Sequence, residues 1–149
     1  MAPRTSRRVV HWRWEYRLRH RPHVLLVAED EAVTQLRLVL QSRWLCSVAT
    51  DLDLALTLAC ILLPSRILID ASAQHGTLLI ERLKRHRDTH PLPVLWLARD
   101  DVTRLRGCDA GAQIGLTTPA IGFDYDIQPV QMALRYLSAA SIIESSSGR

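Results

Sequence analysis

Short, wholly apolar runs alternate with amphipathic stretches along most of this chain. That alternation limits the fold more than any other feature. Val24-Leu25-Leu26-Val27, Ile67-Leu68-Ile69 and Val94-Leu95-Trp96-Leu97 have no polar face. A strand with no polar face is buried on both sides, as in a parallel sheet covered by helices. The stretches between carry apolar residues at helical spacing. In residues 31–43 these are Val33, Leu36, Val39 and Leu40, expected on one inward face. Strands are expected at 23–28, 46–49, 66–69, 94–97 and 113–116, and helices at 31–43, 52–62, 76–87, 101–108 and 126–140. Asp51 is the expected N-cap of the second helix, and Pro64 its stop. Leu79, Ile80 and Leu83 are the expected inward residues of the third. Such alternation implies right-handed crossovers and an α/β, doubly wound sheet with helices on both faces.

Charge divides the chain. Residues 1–23 carry seven arginines and one acid, a net of +6, whereas residues 24–149 carry 12 basic and 14 acidic side chains, a net of −2. The expected organisation is a basic, aromatic-containing extension over 1–22, one domain over 23–140 and a Ser-rich tail over 141–149. No apolar run approaches a bilayer span, and none follows the basic start, so neither a membrane span nor a secretory signal is expected. Three widely spaced cysteines give no disulfide framework, and a cytoplasmic location fits. Arginines interleaved with Trp12, Trp14 and Tyr16 make residues 4–21 a candidate for nucleic acid or an anionic surface. Neither a phosphate-binding glycine loop nor a plausible Ser/His/Asp grouping is evident, so an enzyme is not expected.

Two of the apolar runs end in carboxylates. Glu29-Asp30-Glu31 follows Val24-Leu25-Leu26-Val27, and Asp70 closes Ile67-Leu68-Ile69. Strands of a parallel sheet deliver such groups to one edge, where open α/β folds do their chemistry. Glu29, Asp30 and Asp70 are therefore the candidate ligands of a weakly bound divalent cation, because clustered carboxylates repel one another without one.

Several stretches, in order, resemble the receiver domain of bacterial two-component response regulators. Residues 24–31 are similar to its first strand and acidic turn. Pro64-Ser65-Arg66-Ile67-Leu68-Ile69-Asp70 is similar to the strand that carries its phosphoacceptor. Leu97-Ala98-Arg99-Asp100-Asp101 resembles the end of its fourth strand. Gly107-Cys108-Asp109-Ala110-Gly111-Ala112, followed by Leu116-Thr117-Thr118-Pro119, resembles the run through the fifth. The resemblance implies a flavodoxin-like (CheY-like) sheet of order 2-1-3-4-5. It also implies phosphoryl transfer from a histidine kinase to an aspartate, with Mg²⁺, a lysine and a hydroxyl balancing the phosphoryl charge.

Carried over residue by residue, the resemblance puts Asp70 at the acceptor position. The acidic turn reads Ala28-Glu29-Asp30, which lacks one carboxylate and lengthens another, against the tight octahedron that Mg²⁺ demands. The switch hydroxyl falls on Leu97 or Ala98, the lysine on Thr118 and the switch aromatic on Gly115. The resemblance is thus to a degenerate receiver, or pseudo-receiver. It implies signalling by protein–protein interaction and no required cofactor. The implied partner is a histidine kinase, a downstream regulator or a second copy. The last helix belongs to the surface that receivers use for partners, and Tyr136 is its candidate contact. Two alternatives stand beside this reading. One is a phosphorylation-competent receiver using Asp70 with Mg²⁺. The other is a nucleic-acid-binding regulator using the extension.

Overall fold

The structure, a computed structural model, describes residues 22–118 and 127–147, with side chains in the last helix described up to residue 137. The extension and residues 119–126 lie outside it, so the nucleic-acid candidate at 4–21 does too. Five strands, β1 (His23–Val27), β2 (Leu45–Ala49), β3 (Arg66–Asp70), β4 (Val94–Ala98) and β5 (Ile114–Thr117), alternate with five helices. The helices are α1 (Asp30–Leu40), α2 (Leu52–Leu62), α3 (Gly76–Arg85), α4 (Asp101–Ala110) and α5 (Gln128–Ser147). All strands are parallel, as expected from the alternation, and their order, β2-β1-β3-β4-β5, is the one the resemblance implies. β3 and β4 are buried at every residue, which explains why the runs 67–69 and 94–97 have no polar face.

Period-two alternation along the strands divides the core into two layers. Leu25, Val27, Ile67, Ile69, Val94 and Trp96 face α2, α3 and α4. Val24, Leu26, Leu68, Leu95 and Leu97 pack with Leu36 and Leu40 of α1 and with Val130, Leu134 and Leu137 of α5. Asp51 caps α2 as expected, accepting from the Leu54 N–H at 2.8 Å. The α2 helix then ends at Leu63 in the left-handed conformation (φ 44°), just before Pro64.

Two details differ from the sequence reading. Val39 is 37% exposed, and Ala32 joins Val33, Leu36 and Leu40 on the buried face. The inward stripe is therefore narrower than the count of apolar residues suggested. The last helix continues to Ser147, past the expected end near residue 140. Neither Pro nor Gly interrupts residues 130–147, so nothing in the backbone chemistry stops the helix before Gly148.

Candidate functional site

Register brings the candidate residues together. Asp70 pairs with Leu97 across β3 and β4, and Ala98 with Thr117 across β4 and β5. The last residue of β3 and the first residues beyond β4 and β5 therefore meet at one sheet edge. Asp70 is fully buried there. Its Oδ2 accepts from the backbone N–H of Ser72 at 2.9 Å. The Ser72 hydroxyl in turn accepts from the Glu29 N–H at 3.2 Å, which ties the turn after β3 to the turn after β1.

The dominant partner of Asp70 is one that the sequence reading did not single out. Arg99, the first residue beyond β4, donates from a single nitrogen, Nη2, to both carboxylate oxygens, at 2.8 and 2.9 Å. Its Nη1 donates to the Thr118 hydroxyl at 3.1 Å. The Thr118 hydroxyl also lies 3.4 Å from the Ala98 carbonyl, to which it donates. Arg99 keeps about a third of its side chain exposed (32%), against 0% for Asp70. The guanidinium thus roofs the carboxylate. Next to it, Asp100 is used differently. It caps α4 by accepting from the Thr103 N–H at 2.7 Å, and that bond holds its carboxyl below the usual range.

Thr118, expected to leave the lysine position without a charge, is buried and serves as an acceptor for the arginine. Leu97 and Ala98, the two candidates for the hydroxyl position, are both fully buried and apolar. At Gly115 the space an aromatic side chain would need is filled. A Cβ there would lie 2.7 Å from Cys108 Sγ and 2.9 Å from Arg104 Cγ, both on α4.

The expected metal ligands are not arranged as a set. Glu29 and Asp30 are exposed at the start of α1, while Asp70 turns inward to Arg99. Among the described residues no group of three or more His, Cys, Asp or Glu side chains is arranged to hold a metal ion. The residues as they stand do not fit Mg²⁺, because Arg99 already takes both Asp70 oxygens. Tyr136 stands apart from this edge. It is 65% exposed on α5, one turn beyond Met132 at 67%, while Val130, Ala133, Leu134 and Leu137 of the same helix are buried.

The fold, with its sheet order β2-β1-β3-β4-β5, is shared with solved structures. A protein assigned as a response regulator from Chloroflexus aurantiacus J-10-fl superposes with a TM-score of 0.68 at 26% identity, covering 79% of this chain and 98% of that one. This chain is built as a CheY-like receiver domain. The signal receiver domain of an HD domain-containing protein from Pseudomonas fluorescens Pf-5 aligns with it at a TM-score of 0.70 and 20% identity, over 85% of this chain and 93% of that one. The receiver domain of a sensor histidine kinase from Pseudomonas aeruginosa PAO1, solved with magnesium in its active-site cleft, aligns at 0.68 and 17%, over 79% and 98%. No protein-family model matches this receiver's sequence. No curated protein sequence matches it either. Among its described residues, no helix is long and apolar enough to cross a membrane.

Proposed function

We propose that this receiver is a degenerate one, a pseudo-receiver in two-component or phosphorelay signalling that works through protein–protein contact and not through ordinary phosphorylation of Asp70. The observation that carries the reading is the state of the acceptor. Its carboxylate is fully buried, and both oxygens accept from Arg99. In-line attack on a phosphodonor needs a free carboxylate oxygen and a cation that can follow the phosphoryl group. Here one cation already holds both oxygens, and Thr118 supplies no second charge. The filled space at Gly115 supports the same reading, because an inward-swinging side chain has no room there.

On this reading the protein is not an enzyme, requires no cofactor and acts in the cytoplasm. Its partner is a histidine kinase, a downstream regulator or a second copy. The exposed Tyr136 and Met132 on α5 supply an apolar contact for it. The test is the intact mass of the full chain after incubation with acetyl phosphate and Mg²⁺, beside an Asp70→Asn control. The expected result is no adduct in either protein. One added phosphoryl group, absent from the control, would reject the reading in favour of a phosphorylation-competent receiver.

A further inference from the structure

We infer that Arg99 is the resident counter-ion of this site, standing in for a divalent cation, so that the Asp70 edge keeps its charge balance and its shape without metal.

The first argument is charge. An ionised carboxylate with no exposed surface is costly unless a cation and hydrogen bonds compensate it. Asp70 has no exposed surface, and among the described residues its ion pair is with Arg99. The Ser72 N–H completes the donor set.

The second argument is exclusion. Mg²⁺ takes oxygen ligands at about 2.0–2.1 Å in a near-ideal octahedron. An ion that close to either Asp70 oxygen would face a guanidinium nitrogen 2.8–2.9 Å from the same atoms. A second cation on that carboxylate would meet the guanidinium charge in a site where like charges are weakly screened, so Arg99 opposes metal binding.

The third argument is that the arginine is fixed at both ends. Nη2 binds the end of β3, and Nη1 binds Thr118 beyond β5. Thr118 can accept that bond because its hydroxyl oxygen has lone pairs and no positive charge. A lysine there would repel the guanidinium. The neutral residue at 118 and the arginine at 99 are thus two halves of one arrangement, in which the cation has moved from the turn after β5 to the turn after β4. Arg99 is a positioning residue: it sets the conformation of its own turn and the metal preference of Asp70.

This inference deepens the degenerate-receiver reading and rests on it, but its test needs no phosphodonor, so the two fail separately. The experiment is thermal unfolding of the full chain and of Arg99→Met, Asp70→Asn and the double variant. Each is measured in millimolar MgCl₂ and in NaCl of matched ionic strength, with calorimetric Mg²⁺ titration of the wild type. The wild type is expected to melt at the same temperature in both salts and to show no saturable heat. Arg99→Met is expected to melt several degrees lower, because it strands Asp70. Adding Asp70→Asn is expected to recover most of that loss. If Arg99→Met alone does not fold, a folded double variant gives the same answer. A Mg²⁺-dependent rise in the wild type would overturn the inference. So would a double variant no more stable than Arg99→Met.

Discussion

The indole of Trp96 occupies the space that a side chain on Gly107 would need. A Cβ on residue 107 would fall 2.2 Å from the ring carbon Cδ1 and 2.3 Å from Nε1. The same indole donates from Nε1 to the Thr103 carbonyl, one turn earlier on α4, at 3.0 Å. Gly76 approaches from the other side, where a Cβ would lie 2.7 Å from Cζ3. Trp96 thus seats α3 and α4 on β4 through one glycine from each helix. The start of α4 lies directly beyond Arg99, so this seat helps to fix the turn that carries the arginine.

Gly107→Ala should therefore destabilise the fold. Overpacking costs about 1–3 kcal/mol, whereas alanine in place of glycine inside a helix gains about 1 kcal/mol. The cost dominates, because the ring is pinned by Gly76 behind it and by its bond to Thr103. A lower urea midpoint with a changed tryptophan emission is the expected result. An unchanged or higher midpoint would contradict the packing described.

His23 supplies a pH dependence. Burial lowers its pKa from the usual value, and its Nε2 lies 2.7 Å from the Ser47 hydroxyl. The folded state therefore favours the neutral ring, and between the folded pKa and the unfolded value the unfolded chain binds more protons. Stability is expected to be fully present above the unfolded pKa of about 6.5 and to be lost as pH falls through the lowered folded value. Melting temperatures at pH 7.5 and 5 should diverge in the wild type and converge in His23→Gln. Equal pH dependence in both would remove His23 from the account.

Restoring an aromatic residue at 115 should not restore a switch. Gly115→Tyr must displace Cys108 and Arg104 on α4, and the expected outcome is a loss of about 1–3 kcal/mol by chemical denaturation. Gly115→Tyr with undiminished stability would mean that α4 can move aside, and the sealed-site description would be wrong.

Tyr136 tests the proposed contact face. Its side chain is mostly exposed beside Met132, so Tyr136→Ala is expected to change stability by no more than about 0.5 kcal/mol. A larger loss, measured by urea unfolding, would mean that the ring is part of the core and unavailable to a partner.

Strand positions, the Asp51 cap and the carboxylate at the end of β3 were legible in the sequence because each depends on local chemistry. A run without a polar face, a carboxylate three residues before an N–H, and a proline after a helix all act within a few residues. The inward face of α3, with Leu79, Ile80 and Leu83, was legible for the same reason. Arg99 was not, because an arginine on a turn ordinarily points to solvent. Its role depends on β3 and β4 being neighbours with Asp70 opposite Leu97, a relation between residues 29 positions apart. The losses at positions 97, 98, 115 and 118 were visible one at a time. The contacts of Arg99 with Asp70 and Thr118, and of the α4 side chains with Gly115, required the sheet order.

On the proposed reading, Asp70 is held by Arg99 and neither takes a phosphoryl group nor responds to one. The most direct measurement is the amide NMR spectrum of the full chain before and after addition of Mg²⁺ and beryllofluoride, a phosphoryl mimic for carboxylates. No saturable shift is expected at residues 70–72, 98–103 and 116–118. A second set of peaks there at saturation would show that the carboxylate releases Arg99 and accepts the mimic, and would contradict the account.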